Sequence, residues 1–232
     1  REGGFYKSID GGEHFTKITT GLPNGLIGKA NLAVTAAKPN RIYALVEAKP
    51  GGGLYRSDDA GQTWAAMNPQ PANIGAQMIQ RPFYYTTLGA DPTNADVVYA
   101  GAESFYKSSD GGKTFSVMRT PHGDNHDIWI NPKDGNTLIQ SNDVGANVSY
   151  DGGRTWSSQM NQPTAEIYMV SVDEQHPYLL YAPQQDNSTV VVPSLPTASF
   201  AFDHPAQAWS QASGCETGGI WPTPDGRVIL GA

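Results

Sequence analysis

The stretch from His122 to Asp127 carries the densest set of groups that could do chemistry. His122, Asp124 and His126 occupy alternate positions, and Asp127 follows directly. On extended backbone, alternate side chains point the same way, so these three could converge on one ion. Imidazole and carboxylate ligands suit zinc, manganese or iron. The spacing therefore gives two hypotheses: a divalent metal at this loop, or a polar loop whose histidines bond to neighbouring segments.

Carboxylates suggest a second kind of chemistry, acid–base catalysis. A glycosidase needs two carboxyl groups roughly 5–10 Å apart across a sugar ring. Four acidic residues lie in loops that precede the predicted inner strands: Asp124, Asp127, Glu166 and Glu216. A sialidase would need three arginines for the substrate carboxylate, and only Arg81 lies in a suitable loop. A glycoside hydrolase therefore remains open, whereas sialidase activity is disfavoured.

Other side chains in and near these loops could bind a ligand without catalysis. Tyrosine and tryptophan rings can stack on sugars, although aromatic residues on inner strands also pack between repeats. The amide-rich stretch Gln184–Thr189 could bind sugar hydroxyls or form a self-bonded turn. The candidate binding residues are Arg81, Tyr84, His122, His126, Trp129, Gln185 and Asn187.

An octet that occurs four times, with the pattern Ser-x-Asp-x-Gly-x-Thr-aromatic, organises the chain. The aspartate is predicted to accept hydrogen bonds from backbone N–H groups of a turn, and the glycine to supply a backbone angle that other residues resist. A calcium loop is excluded because it needs a distal bidentate glutamate. We therefore predict a structural role, with one departure from the pattern at His14. The residues that match are Ser8, Asp10 and Gly12; Ser57, Asp59, Gly61, Thr63 and Trp64; Ser108, Asp110, Gly112, Thr114 and Phe115; and Ser149, Asp151, Gly153, Thr155 and Trp156.

The spacing of the octets predicts the architecture. Their aspartates, at positions 10, 59, 110 and 151, are 49, 51 and 41 residues apart, which is typical of propeller blades with four antiparallel strands each. We predict an all-β propeller segment over residues 1–232, either part of a larger propeller or five closed blades. First strands should line the channel, so the loops before them should face its mouth, with the octets on outer turns. The predicted blades are residues 27–70, 78–120, 122–162 and 163–212, with half blades at 1–26 and 213–232.

The octets match the Asp-box, or BNR-repeat, motif of β-propellers. Beyond them, the chain resembles sortilin-like, BNR-type propellers of large exported bacterial proteins that are often labelled glycosyl hydrolases. The phrases that carry this resemblance are Arg81–Tyr85, His122–Ile130, Gln184–Thr189 and Gly214–Gly219. The resemblance implies a propeller in an extracellular or periplasmic protein, and it carries over no catalytic motif.

Composition narrows the classes of partner. A formal net charge of −7 argues against a nucleic-acid binder, which would normally present a basic face. The lone cysteine, Cys215, excludes an internal disulfide framework, and no apolar run approaches membrane-spanning length. We therefore expect an exported scaffold that binds a polysaccharide or a protein and needs no cofactor, with a glycoside hydrolase as the alternative.

Overall fold

The computed structural model describes residues 3–67, 78–159, 165–185, 189–195, 209–212 and 218–231. Within these ranges the regular structure consists of β-strands, and no helix there is long and apolar enough to cross a membrane. The chain divides into two compact units, Arg1–Asn161 and Gln162–Ala232. Whether residues 1–232 form one continuous propeller segment stays a prediction.

Among its described residues, the first unit contains four antiparallel sheets, each with its strands in chain order. A two-stranded sheet precedes two four-stranded sheets and one three-stranded sheet. In the three-stranded sheet, the Ser157 N–H donates to the Val148 carbonyl (2.8 Å), where a fourth strand would pair. The strands are β1 (Phe5–Lys7) and β2 (Thr16–Ile18); β3 (Leu26–Val34), β4 (Ile42–Lys49), β5 (Gly53–Ser57) and β6 (Ala65–Ala66); β7 (Thr87–Ala90), β8 (Val98–Gly101), β9 (Phe105–Ser108) and β10 (Ser116–Met118); and β11 (Asn125–Ile130), β12 (Leu138–Asn142) and β13 (Gly145–Ser149).

The second unit repeats the same plan with two antiparallel sheets among its described residues. The first contains β14 (Ser171–Val172), β15 (Leu179–Pro183), β16 (Thr189–Pro193) and β17 (Ser210–Ala212). The second pairs β18 (Ile220–Pro222) with β19 (Ile229–Gly231).

Successive sheets of the first unit stack face to face. Strand β7 contacts β3 and β4 of the sheet before it, and β11 of the sheet after it contacts β7 and β8. The alternation of side chains along β8 explains this packing: Val98 and Ala100 join the cluster shared with the preceding sheet, which includes Tyr43. Tyr99 points the other way and packs with Leu138 of the following sheet. The core thus lies between blades, and the predicted all-β propeller fold is confirmed.

The octets form the turns between the third and fourth strands of the blades. In the third octet, Asp110 Oδ1 accepts hydrogen bonds from the N–H groups of Lys113 (3.0 Å) and Thr114 (2.9 Å), and Oδ2 accepts the Thr114 hydroxyl (2.6 Å). The N–H of Gly112, whose φ is +87°, donates to the Ser108 hydroxyl oxygen (2.9 Å). One carboxylate therefore holds the whole turn in shape.

The two ends of the blades carry different features. The Gly111 N–H donates to the carbonyl of Asp96, in the turn between β7 and β8 (2.8 Å). At the other end, the Asp124 N–H donates to the carbonyl of Glu103, in the turn between β8 and β9 (3.0 Å). We call these the octet end and the mouth end, the latter being where the chain leads into β7 and β11.

Candidate functional site

The mouth end of the first unit gathers an aromatic ring, an imidazole and a carboxylate from three separate segments. The ring of Tyr84 stands edge-on to His126, with their centroids 5.0 Å apart, and Tyr85 lies 5.5 Å from the same imidazole. His126 Nε2 lies 2.5 Å from Asp143 Oδ1. Tyr84 is 46% exposed, whereas the Asp143 side chain is only 10% exposed. The His126–Asp143 pair thus lies beside an aromatic ring that is partly exposed to solvent.

Local backbone geometry places each member of this cluster. Arg81 has a φ of +46°, and its carbonyl accepts the N–H groups of Tyr84 (2.7 Å) and Tyr85 (2.9 Å), so the chain turns sharply before β7. The His126 carbonyl accepts the Thr87 hydroxyl (2.5 Å), which ties the beginning of β11 to β7. Asp143 lies in the tight turn between β12 and β13. Two short turns therefore meet at the imidazole near the beginning of β11.

Asp143 is the member of this cluster that the sequence pattern missed. It belongs to a hairpin turn and not to a loop that leads into an inner strand, which was the criterion for candidate residues. Its signal in the sequence is the stretch Asn142-Asp143-Val144-Gly145 between two strand-like runs, which marks a hairpin beside β11.

The alternating residues of the metal hypothesis do not converge. Asp124 has a φ of +53°, so the backbone is not extended between His122 and His126. His122 Nδ1 lies 3.1 Å from the Gly123 carbonyl oxygen, whereas His126 Nε2 lies 2.5 Å from Asp143 Oδ1. Among the described residues, the metal-ligating group whose ligand atoms all lie within 4.8 Å of one another is the exposed set Asp10, Glu13 and His14. A metal at His122, Asp124 and His126 therefore stays a prediction without geometric support.

The remaining mouth-end candidates of the first unit are exposed. Asp127 Oδ1 accepts the N–H of Ile128 (2.8 Å), a bond within its own strand. Trp129 is 50% exposed and lies in β11 beyond the register irregularity between Asn125 and Asp127. Arg81 is exposed at the turn before β7. Trp129 and Arg81 are thus accessible, but neither is part of the Tyr84–His126–Asp143 cluster.

Four candidate residues lie in the second unit, and two of them, Glu166 and Gln185, are hydrogen-bonded to each other. The Glu166 carbonyl accepts the Gln185 N–H (3.0 Å), and the Tyr168 hydroxyl donates to Gln185 Oε1 (2.6 Å). The Glu166 side chain is exposed. Asn187 and Glu216 lie outside the described residues, so their roles stay predictions.

A buried network of side-chain amides lies within the three-stranded sheet of β11–β13, near its mouth end. Gln140 Nε2 donates to Asn125 Oδ1 (2.6 Å), while Asn142 Nδ2 donates to Gln140 Oε1 (3.0 Å) and to Asn147 Oδ1 (3.0 Å). Asn125, Gln140 and Asn147 are fully buried. Satisfied polar networks of this kind fix one arrangement of the strands. The network therefore holds the beginning of β11, and with it His126, in place.

Hydrogen bonding within the octets favours the ionised form of their aspartates. Two hydrogen bonds from Thr63 and one from Ser57 lower the pKa of Asp59 to about 2. A general acid of a glycosidase needs the opposite, a raised pKa. The described carboxyl groups whose pKa is shifted are all shifted downward: Asp10, Asp58, Asp59, Asp110, Asp134, Asp151, Asp173 and Asp225.

Blades that stack through shared cores and turn at Asp-bonded octets define a β-propeller of the Asp-box type. A family model described as BNR/Asp-box repeat matches residues 55–66, which include the second octet. The resemblance to Asp-box propellers is therefore confirmed. The narrower resemblance to sortilin-like bacterial proteins stays a prediction.

Two xyloglucanases are similar to this chain. That of Hypocrea jecorina (strain QM6a) is 30% identical over 129 residues, which are 50% of this chain and 15% of the xyloglucanase. That of a Paenibacillus species is 29% identical over 159 residues, 61% of this chain and 14% of the enzyme. The chain thus matches only a small part of the length of these relatives.

Among solved structures, an ancestral GH74 enzyme superposes with a TM-score of 0.47 at 16% identity, covering 96% of this chain and 30% of that one. The assignment of the fold rests on the blades of this chain and on the octets, not on that superposition.

Proposed function

We propose that this chain is the carbohydrate-binding part of an exported Asp-box propeller, with the sugar held at the mouth end by Tyr84 and His126. The observation that carries the proposal is the exposed Tyr84 ring, backed by the His126–Asp143 pair. An aromatic face can cover the apolar face of a sugar ring, and neighbouring imidazole and carboxylate groups can bond to its hydroxyls. This combination suits a neutral polysaccharide better than a charged polymer.

The similarity to two xyloglucanases supports a polysaccharide as the partner, in preference to a protein. Xyloglucan is therefore the first ligand to test. The polar, weakly charged composition, with 16% charged residues, is compatible with export. The net charge of −7 continues to argue against nucleic acid as the partner.

Affinity electrophoresis through gels that contain xyloglucan tests the proposal. We expect the parent chain to be retarded and Tyr84→Ala to bind about tenfold more weakly, because one aromatic contact is lost. Tyr150→Ala is the matched control, since Tyr150 is 77% exposed within the fourth octet, at the other end of the blades. An equal loss in both variants, or a parent chain that is not retarded, would rule out binding at the mouth end.

The alternative proposal is a glycoside hydrolase, favoured by the activity in the names of the two relatives. Its acid and base would come from Asp124, Asp127, Glu166 and Glu216. Release of reducing ends from xyloglucan, compared between the parent chain and the variants Asp124→Asn and Asp127→Asn, tests it. A parent chain that binds xyloglucan and releases no reducing ends would support the binding scaffold and rule out the hydrolase proposal.

The scaffold as proposed needs no cofactor. Metal analysis of the purified chain, alongside His122→Ala and His126→Ala, tests the rival metal hypothesis. A stoichiometric metal in the parent that is lost in both variants would establish the metal site. Absence of metal from the parent after incubation with zinc, manganese and iron would rule out the metal hypothesis.

A further inference from the structure

In the first three octets, the residue before the octet serine is a cation: Lys7, Arg56 and Lys107. Each of these side chains reaches the octet of the following blade and donates to the backbone carbonyl of the residue after its aspartate. The three bonds are Lys7 Nζ to the Ala60 carbonyl (2.7 Å), Arg56 Nη1 to the Gly111 carbonyl (2.9 Å) and Lys107 Nζ to the Gly152 carbonyl (3.1 Å). The same contact therefore recurs at three successive junctions between sheets.

The residue that accepts this bond has a left-handed backbone conformation in all three octets. Its φ is +58° at Ala60, +75° at Gly111 and +72° at Gly152. Its N–H donates to the turn between the first two strands of its own blade, as from Gly111 to the Asp96 carbonyl (2.8 Å). Ala60 adopts this conformation although a Cβ disfavours it. The residue is thus held by its own blade through the N–H and by the preceding blade through the carbonyl.

The bond from the cation continues through the octet to the aspartate. In the fourth octet, Lys107 donates to the oxygen of the peptide group between Gly152 and Gly153. The N–H of that same peptide group donates to Ser149 Oγ (2.9 Å), which lies 2.9 Å from Asp151 Oδ1. An ionised carboxylate only accepts, so the hydroxyl must donate to it. All links therefore run in one direction, from the ammonium group of one blade to the carboxylate of the next.

The second and third octets contain the same chain of bonds. Their links are Gly61 N–H to Ser57 Oγ (2.8 Å) and Ser57 Oγ to Asp59 Oδ1 (2.7 Å); and Gly112 N–H to Ser108 Oγ (2.9 Å) and Ser108 Oγ to Asp110 Oδ1 (2.8 Å). Val148 occupies the position before the serine of the fourth octet, so the fourth blade has no cation at this place. Three chains of one design thus join the sheets of the first unit.

Charge at both ends strengthens such a chain. Hydrogen bonds to ionised groups are stronger than those between neutral groups, and each bond in a chain polarises the next. Hydrogen bonds from Thr155 and Ser149 hold the pKa of Asp151 well below its usual range, so the accepting end is ionised. Burial lowers the pKa of Lys107, because the ammonium group loses part of its hydration, and the bond to the Gly152 carbonyl replaces bonds to water.

We propose that each of these octet aspartates fixes the junction with the preceding blade, through a hydrogen-bond chain that begins on the lysine or arginine of that blade. The octet is then a joint between blades as well as a turn. Opening of one octet frees the cation of the preceding blade and loosens that junction, whereas the other junctions keep their own chains. The joint lies at the octet end and is independent of sugar binding at Tyr84.

Hydrogen exchange of the buried Gly61, Gly112 and Gly153 amides, measured by NMR, tests the joint at single octets. Lys107→Met keeps the aliphatic stem and removes the ammonium group. We expect it to lower the protection of Gly153 about fivefold, because a bond from a charged donor is lost, and to leave Gly61 unchanged. Lys7→Met should lower the protection of Gly61 and leave Gly153 unchanged.

The double variant Lys107→Met/Asp151→Asn tests the link to the carboxylate. Both substitutions weaken one chain, so the double variant should lose about fivefold less protection at Gly153 than the product of the two single losses. Lys107→Met combined with Asp59→Asn, which lies in another chain, should be additive to within about twofold. The coupling should persist in about 1 M sodium chloride, where the Debye length of about 3 Å screens attraction through space.

Two substitutions serve as controls. Lys107→Arg should restore the protection of Gly153, because Arg56 makes the equivalent bond to the third octet. Lys113→Met removes an equal charge from an exposed side chain and should leave Gly153 unchanged. The joint would be overturned by an equal loss at all three glycines, by unchanged protection of Gly153 in Lys107→Met, by additive losses in the double variant, or by a coupling that disappears at high salt.

Discussion

Replacing Asp110 by asparagine should destabilise the first unit by an amount set by the charge of the carboxylate. Burial opposes ionisation of Asp110, but hydrogen bonds from Thr114, Ser108 and Lys113 outweigh it and lower the pKa from its usual 3.8 to about 2. A shift of this size corresponds to roughly 2 kcal/mol, or about 1–2 kcal/mol after allowance for screening by solvent. We therefore expect the melting temperature of Asp110→Asn at pH 7 to fall by about 2–8 °C.

Differential scanning calorimetry at several pH values measures this effect and tests its origin. A carboxyl group whose pKa is lowered by folding stabilises the protein above its unfolded pKa, and that stabilisation disappears as the pH falls through the folded pKa. For Asp110 the window runs from about pH 4 down to about pH 2. The difference between parent and Asp110→Asn should therefore be full at pH 7 and shrink towards pH 2.

Lys113→Gln is the matched control, because it changes a charge in the same octet while Asp110 still accepts the N–H of residue 113. Its effect should stay within about 0.5 kcal/mol, as for most surface substitutions. A melting temperature of Asp110→Asn equal to that of the parent, or an equal loss at pH 7 and pH 2, would refute the view that the ionised carboxylate holds the turn.

Three further substitutions should lower the melting temperature of the first unit. Gly112→Ala should cost about 1–3 kcal/mol, because the residue has a φ of +87° and its Cβ would lie 2.6 Å from Leu54 Cδ2; alanine at Gly11, with open space around its Cβ, is the comparison. Gln140→Ala should cost about 2–4 kcal/mol, because it leaves buried amides of the network unpaired. Arg41→Met should cost about 1–2 kcal/mol by breaking its bonds to the partly exposed carboxylates of Asp58 (2.6 Å) and Asp96 (2.5 Å). Urea denaturation measures all three, and an effect below about 0.5 kcal/mol would contradict the contact concerned.

The fold could be predicted from the sequence because each blade repeats the same local information. The octet contains every group that its turn needs within eight residues, as Asp110 and its partners illustrate. The strand phrases that precede it alternate in the way that two-sided packing requires, as Val98 and Tyr99 do. Local patterns of this kind can be recognised in a sequence without knowledge of tertiary contacts.

The candidate site was harder to predict because it depends on contacts between segments. His126 was among the candidate binding residues, but its partner Asp143 lies in a neighbouring hairpin, and sequence distance gave no reason to join them. The metal hypothesis assumed extended backbone through Asp124, and the φ of +53° removes that assumption.

A crystal structure of the chain with a bound xyloglucan oligosaccharide tests the central proposal most directly. We expect a sugar ring stacked on Tyr84, with one of its hydroxyls within hydrogen-bonding distance of His126. An oligosaccharide bound only at the second unit or along the outer strands, with Tyr84 uncovered, would contradict it.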